Sequence, residues 1–351
     1  MRSFTGWPHR AFARVANFGR SVLSSPSWSP SWAGPWRRPG PQAGPERTGP
    51  RIAVLGNCQA EGIGRALSLL LPDAQVTLVP LATLRRDHGS VAQLRRHLAP
   101  FDHVFTQFFP DGFLDGGNVH ALAQGNARLR LFPTILFPAF HPDMVHVGDI
   151  GALSAARLVH SPMGPYHSAI ALCAYREGRT VDETLALFRD DVFACLGYYE
   201  AWVDASAYLL GSARDIDFPL EAELARWSRR GCFMHVLNHP KLFVLGDLAR
   251  RLAREAGLKP ADIPVEDYLA DDLATDAVWP LYPEIARRYG LVGSLRFKPK
   301  ELAGTTAPTL LDHAAFVSGS FETYARLPVD SLVCPRVAAW RDDPAVRAIF
   351  A

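Results

Sequence analysis

The sequence predicts an α/β protein in which a parallel sheet is covered by helices. From Arg51 onward, short apolar segments alternate with helical ones, and parallel strands require such crossovers. Of the 351 residues, 48% are hydrophobic and 21% charged, as is typical of a soluble globular protein. We predict a basic tail over 1–50, an α/β domain with a helical second half over 51–298, and an extension over 299–351.

The first strand and helix are predicted on either side of a short polar turn. Residues 51–55 form an apolar strand, and the segment 59–71 repeats apolar side chains with helical spacing. Gly56 and Asn57 tolerate the backbone angles of a tight turn. Cys58 therefore lies at the amino end of a helix, where amides and the helix dipole favour negative charge. This position predicts a thiolate. The alternative is a small buried residue that lets the turn pack.

Three more strands are predicted after this helix. They cover 75–80, 102–107 and 129–137, the last interrupted by Pro133, and a short basic helix covers 91–98. In sheets of this kind, ligands bind beyond the carboxyl ends of the strands. Because Thr106 and Gln107 end the third strand, we expect them on the same rim as Cys58.

The second half of the domain is predicted to be mostly helical. Thr180 and Glu183 form a capping box at the start of one helix. Further helices are expected through 181–230, with turns at Gly211 and 217–219, and another over 242–256. The acidic stretch 261–277 is interpreted as a solvated face, since it has six Asp or Glu residues and no Lys or Arg.

Charge and cysteine content exclude several classes of protein. A formal net charge of +2 does not indicate a nucleic-acid partner. No run of 18 apolar residues predicts a membrane-spanning helix. The five cysteines are odd in number and form no C-x-x-C pair, which argues against a zinc ribbon or a disulfide framework. A reducing, cytoplasmic setting is therefore expected.

The basic tail supports two interpretations. Its apolar residues recur every three or four positions, which would let residues 1–25 lie as an amphipathic helix on an anionic inner-membrane surface. Those apolar residues are Phe4, Trp7, Ala11, Val15, Phe18 and Val22. However, Pro8 limits such a helix, and the abundance of Pro, Ser and Gly favours a tail without regular structure.

Two polar segments carry candidate histidines. The loop 138–149 contains His141, Asp143, His146 and Asp149, but their spacing matches no metal motif. We therefore expect a polar substrate or cofactor loop and no metal. His239 follows Asn238 in a turn before a helix, where it is either a proton-transfer group or a satisfied core residue.

The motifs that bind nucleotide phosphates are missing from the chain. The turn reads G-N-C-Q-A-E-G, which lacks the dinucleotide fingerprint, and neither a nucleotide-triphosphate loop nor a serine elbow is present. What remains is a cysteine at a helix start, several histidines and amide side chains. Such a set can support acyl transfer, with amides stabilising the oxyanion.

An ordered series of motifs resembles the WcbI-type capsular polysaccharide biosynthesis proteins. The resemblance covers roughly 51–297. The motifs are Gly56-Asn57-Cys58-Gln59, Thr106-Gln107, Phe137-Pro138-Ala139-Phe140, His141-Pro142-Asp143, Tyr166-His167-Ser168, the turn at 177–180, and Asn238-His239-Pro240-Lys241.

The resemblance implies a coenzyme A-binding O-acetyltransferase that modifies a surface polysaccharide or its sugar precursor. It also implies a cradle-like α/β fold with a deep coenzyme pocket and a Rossmann-like core. The core is similar to that of serine esterases of the SGNH type, in which Cys58 would stand where the nucleophile lies.

On this basis we expect acetyl transfer from acetyl-coenzyme A to a sugar hydroxyl. His239 is the first choice for the general base and His167 the second. Cys58 either forms an acyl-enzyme or only lines the thioester site, and Gln107, Asn57 and the Cys58 amide serve the oxyanion. The residues expected to contact the coenzyme are Gly56, Asn57, Gln59, Arg65, Arg85, Arg86, Thr106, His141, Tyr166, Asn238 and Lys241.

Two other functions stay open at this point. A hydrolase of esters or thioesters could use the same rim, with water as the acceptor. A non-catalytic partner of a polysaccharide assembly machine could bind the coenzyme or a carbohydrate without turnover. The acceptor sugar and the oligomeric state do not follow from the sequence.

Overall fold

A computed structural model describes residues 48–149, 158–301 and 307–351. Residues 1–47 of the basic tail, with the proposed membrane helix over 1–25, lie outside the described residues.

The central sheet has four parallel strands in the order β2-β1-β3-β4. They are β1 (Arg51–Gly56), β2 (Gln75–Pro80), β3 (His103–Thr106) and β4 (Leu129–Leu131). The prediction of a fourth strand up to Phe137 is wrong beyond Leu131. Pro133 has no N–H to donate to a ladder, and the last bond to β3 runs from the amide of Phe132 to the carbonyl of Thr106 at 2.9 Å.

Helices cover both faces of this sheet. They are α1 (Cys58–Leu70), α2 (Leu81–His88), α3 (Val91–Leu98) and α4 (Val119–Ala123). Successive residues of a strand point to opposite faces. Accordingly, Ile52 and Val54 enter the main core with α1, whereas Ala53 and Leu55 enter a second core with α2 to α4.

The second half is helical, as predicted. Its helices are α5 (Ala169–Arg176), α6 (Val181–Leu185), α7 (Asp190–Cys195), α8 (Ala201–Arg214), α9 (Glu221–Arg229) and α10 (Leu242–Glu255). The Thr180–Glu183 capping box at α6 is confirmed. The predicted turn at Gly211 is wrong, because Gly211 lies inside α8 and its neighbours sustain the helix.

Two antiparallel pairs of very short strands lie within this half. They are β5 (Met144–Val145) with β6 (His167–Ser168), and β7 (Met234–Val236) with β8 (His239–Pro240). The hairpin of β7 and β8 carries Asn238 and His239, and it therefore fixes part of the expected site.

The C-terminal part adds four helices to the same main core. They are α11 (Pro283–Arg288), α12 (His313–Ala325), α13 (Pro335–Asp342) and α14 (Pro344–Phe350). Helix α12 packs on α5 and α6 and buries Phe316, Val317 and Tyr324 completely. In the part of the chain that the structure describes, no helix is long and apolar enough to cross a membrane.

Candidate active site at the carboxyl ends of the strands

The turn after β1 is held against the end of β3. The Asn57 side chain caps α1 by accepting a hydrogen bond from the Gln59 amide at 2.9 Å. The Asn57 amide donates to Gln107 Oε1 at 2.8 Å. A Cβ atom on Gly56 would lie 2.6 Å from this same oxygen. The close approach of turn and rim therefore requires glycine, and the expected meeting of the two segments is found.

The side chain of Gln59 ties this turn to two other segments. Its Oε1 accepts from the Ile135 amide at 2.9 Å, and its Nε2 donates to the carbonyls of Ile135 and Asn238, both at 2.8 Å. Tyr166 Oη then donates to Asn238 Oδ1 at 3.0 Å. Because both amide hydrogens of Gln59 are used within the protein, Gln59 positions the site and has no donor left for a coenzyme.

The thiol of Cys58 is neutral, contrary to the expected thiolate. Cys58 is half-buried, and the burial of its thiol is the largest influence on its pKa. Burial raises the pKa of this thiol to about 12, and the charges of Asp276 and Glu61 add to the effect. The amides of Cys58 and Gln59 lower the pKa by less. Desolvation therefore outweighs the helix start here.

His239 is a buried, neutral imidazole without a hydrogen bond. The residue is 2% exposed, and neither ring nitrogen has a partner among the described residues. Burial lowers its pKa to about 4, although the charge of Asp276 opposes this. The Tyr166 ring meets that of His239 edge-on, with centroids 6.3 Å apart. Burial raises the pKa of Tyr166, and the charge of Asp276 raises it further.

Other buried polar atoms in this region also lack partners among the described residues. They are the two ring nitrogens of His141, Nε2 of Gln107 and the hydroxyl of Thr134. Burial lowers the pKa of His141 to about 3, helped by the charges of His235 and Lys241. The main chain of Trp279 approaches His141 and favours its charged form weakly, without a bond of normal geometry. Buried polar groups are normally paired, so this set fits a region that a polar ligand or water would satisfy.

His167 is not available as a general base. Its Nδ1 pairs with the Tyr324 hydroxyl at 2.9 Å, its Nε2 pairs with the Val159 carbonyl at 2.9 Å, and it is fully buried. The prediction of His167 as the second candidate base is therefore wrong, because both of its ring nitrogens are hydrogen-bonded within the protein. The hydroxyl of Thr106 is similarly engaged, since it donates to the Gln107 carbonyl at 2.9 Å.

Three of the four basic residues expected to meet phosphates have partners in the protein. Arg65 pairs with Asp272. Arg85 donates to the carbonyls of Gly112 and Phe113 at 2.7 and 3.2 Å. Arg86 pairs with its neighbour Asp87 at 2.8 Å and is 76% exposed. Lys241 is the one of the four whose charge acts on a site residue, because it lowers the pKa of His141.

The loop 138–149 is partly structural. Asp143 is fully buried and accepts from the Ile170 amide at 3.0 Å and from the hydroxyls of Tyr198 and Tyr282 at 2.8 Å each. Burial raises its pKa, and these hydrogen bonds oppose the rise. His146 Nδ1 lies 2.8 Å from the Pro165 carbonyl. Within the described ranges, no group of three metal-ligating side chains is present.

The acidic stretch contributes to the site, which the solvated-face interpretation missed. Asp271 pairs with His235 at 2.8 Å, and Asp276 acts on Cys58, Tyr166 and His239. A stretch without Lys and Arg is compatible with a solvated face, but it is equally compatible with carboxylates that face histidines. The charge of Lys300 also acts on His239, and no sequence pattern marked that lysine.

The fold and this arrangement define an α/β protein with a buried polar site at the carboxyl ends of its strands. The chain belongs to the family described as polysaccharide biosynthesis enzyme WcbI, whose sequence profile matches residues 51–261, more than half of the chain. Family membership thus confirms the resemblance seen in the sequence. A comparison with curated proteins gives no match.

A solved structure confirms the fold class. It is described as WcbI, a novel polysaccharide biosynthesis enzyme, in a native form without a disulfide bond between coenzyme A and one of its cysteines. The likeness has a TM-score of 0.59 at 16% sequence identity and covers 86% of this chain and 98% of that chain. At this identity it shows the shared α/β fold.

Proposed function

We propose that this polysaccharide biosynthesis enzyme transfers an acetyl group from acetyl-coenzyme A to a sugar hydroxyl. The observation that carries the proposal is the set of buried, unpartnered polar groups near Cys58, namely His239 and the Gln107 amide. A neutral imidazole can accept the hydroxyl proton, and an unused amide N–H can stabilise an oxyanion. The reference to coenzyme A in the description of the WcbI structure supports the choice of donor.

His239 and the amide donors of Gln107 and Cys58 have different roles in this proposal. His239 takes the proton from the sugar hydroxyl while its oxygen attacks the thioester carbonyl. Nε2 of Gln107 and the Cys58 amide stabilise the resulting oxyanion. The Asn57 amide is less suited than expected, because it already donates to Gln107 Oε1. When the intermediate collapses, the C–S bond breaks and the coenzyme thiolate takes the proton from His239.

We further propose that the acetyl group passes directly to the sugar without an acyl-cysteine. A nucleophilic cysteine reacts as its thiolate, and a pKa of about 12 leaves Cys58 protonated at neutral pH. The carboxylate of Asp276 contributes to this rise, after burial. In this proposal Cys58 lines the thioester site with an uncharged thiol and takes no part in the transfer.

Release of coenzyme A thiol by purified protein, with a panel of sugar acceptors, tests both proposals. We expect His239→Gln to lower kcat by about 10²–10⁴-fold, because removal of a general base has effects of this size. Cys58→Ser should stay within about tenfold of the unaltered protein. If His239→Gln left the rate unchanged, the assignment of the general base would be wrong, and a loss well beyond tenfold in Cys58→Ser would contradict direct transfer.

Two control reactions separate the other functions. Thiol release from acetyl-coenzyme A in the absence of any sugar, at the full rate, would indicate a hydrolase. Calorimetric binding of coenzyme A without turnover on any acceptor would indicate a non-catalytic binding protein. A burst of acetylated Cys58 in mass spectra before sugar addition would contradict direct transfer.

A further inference from the structure

A single carboxylate oxygen accepts hydrogen bonds from residues on both sides of the turn that carries His239. Oδ2 of Asp271 accepts a hydrogen bond from His235 Nε2 at 2.8 Å and another from the Leu242 amide at 2.8 Å. His235 lies on β7, and Leu242 is the first residue of α10. The six-residue connection 236–241 between these two contacts therefore holds both Asn238 and His239 of the proposed site.

The hairpin has little hydrogen bonding of its own to fix this geometry. Strands β7 and β8 have three and two residues, and their pairing is interrupted by a register shift. Two-stranded hairpins are marginally stable alone. The hairpin is instead held from outside: the Trp279 amide donates to the His235 carbonyl at 2.9 Å, and Gln59 donates to the Asn238 carbonyl at 2.8 Å.

Asp271 is suited to hold the hairpin because it stays ionised. Burial alone would raise its pKa, but the hydrogen bonds from His235, Leu242 and Ala274, together with the charge of His235, outweigh burial and lower it. Bonds to an ionised carboxylate are the stronger kind. Four ionisable groups act on His239: Asp276 and Asp271 raise its pKa, whereas His235, when protonated, and Lys300 lower it.

We propose that Asp271 is a positioning residue of the active site, which holds His235 and the start of α10 so that His239 and Asn238 meet Tyr166. The inference rests on the proposed acetyl transfer. Asp271 lies beyond residues 51–261, the part that the family profile matches. The site is thus completed by a later segment, whose carboxylate fixes the general base without touching the substrate.

The two hydrogen bonds that Asp271 accepts, from His235 and from Leu242, are called the clamp. Acetyl-transfer kinetics on three variants of the full chain test it. Asp271→Ala removes both hydrogen bonds, and we expect kcat to fall about 100-fold, because a displacement of about 1 Å has effects of this size. The KM for acetyl-coenzyme A should change by less than about threefold. Asp271→Asn should restore most of kcat, since its side-chain oxygen can accept the same two bonds. Asp267→Ala, an exposed carboxylate of the same segment, is the matched control and should have no effect.

A second measurement does not depend on transfer activity. Histidine ring nitrogens are followed by NMR in protein labelled with ¹⁵N-histidine. Asp271→Ala should move the resonances of both His235 and His239, whereas Asp267→Ala should move neither. This result would support the clamp even if the protein transferred no acetyl group to any sugar, in which case only the proposed function fails.

Several outcomes would overturn the inference. An unchanged His239 resonance in Asp271→Ala, or an unchanged kcat in an active enzyme, shows that the clamp positions nothing. A failure of Asp271→Asn to recover kcat would rule out a purely positional role. If Asp271→Ala does not fold, His235→Ala removes the clamp from the other side and leaves the Leu242 bond intact. An unchanged kcat in that variant would overturn the inference equally.

Discussion

At Gly56 the absence of a side chain allows the turn to approach the rim. A Cβ atom there would lie 2.6 Å from both Ala60 Cβ and Gln107 Oε1. Contacts under 3 Å force a shift, and the Gln107 amide is the more mobile of the two neighbours. Such a shift would break its bond with the Asn57 amide.

Gly56→Ala should therefore lower the free energy of unfolding by about 1–3 kcal/mol, as overpacking does, and weaken coenzyme A binding. Urea unfolding and calorimetry measure the two effects. Gly211→Ala is the matched control, since it lies within α8 with no atom within 4 Å of its added Cβ. This control should be neutral or slightly stabilising, because alanine suits a helix interior better than glycine. Equal losses in both variants would contradict the steric explanation.

The sequence predicted where Cys58 lies but not its protonation. Strand, turn and helix follow from local patterns, and the amino-terminal position of the thiol is correct. The pKa depends on burial and on Asp276, which is more than 200 residues away in the chain. Nonlocal desolvation of this kind has no signature in the residues around position 58.

At the scale of elements, the pairing of His167 with α12 explains why the Tyr166-His167-Ser168 motif does not supply a general base. The Tyr-His-Ser sequence indicates a functional histidine, yet its ring is closed off by Tyr324, a residue of the C-terminal extension. Sequence patterns predicted the central sheet and most helices because amphipathic periodicity is local. The partners of His167 and His235 come from segments whose positions depend on tertiary packing.

Tyr324→Phe should remove the hydroxyl that pairs with His167 Nδ1 and leave that buried nitrogen without a partner. We expect the free energy of unfolding to fall by about 1–3 kcal/mol. Urea unfolding measures it. Tyr175→Phe is the control, because Tyr175 packs on Tyr324 at 5.3 Å but its hydroxyl makes no hydrogen bond to a described residue. A loss as large in Tyr175→Phe would assign the effect to ring packing instead.

At the scale of the whole molecule, buried neutral histidines make the fold sensitive to acid. Burial lowers the pKa of His141 to about 3, and those of His167 and His239 to about 4. The ordinary value is 6.5. Below that pH the unfolded chain binds protons that the folded chain does not, so unfolding becomes more favourable. Their contribution to stability is fully present above pH 6.5 and is lost as the pH falls towards 4.

Each of these histidines should cost about 1 kcal/mol of stability between pH 6.5 and 5.5, or roughly 3 kcal/mol for the three together. Urea unfolding at both pH values checks this expectation. His239→Gln should remove about 1 kcal/mol of the pH dependence, because glutamine does not titrate. A pH dependence that is the same in this variant would show that folding does not lower the pKa of His239.

The buried carboxylate of Asp143 also bears on how the chain is made. One of its partners, Tyr282, follows 139 residues later, and another, Tyr198, follows 55 residues later. During synthesis from the amino terminus, Asp143 leaves the ribosome long before either hydroxyl exists. Until then the carboxyl group lacks two of its native hydrogen-bond donors. The buried site of Asp143 is therefore complete only once Tyr282, the residue before α11, has been synthesised.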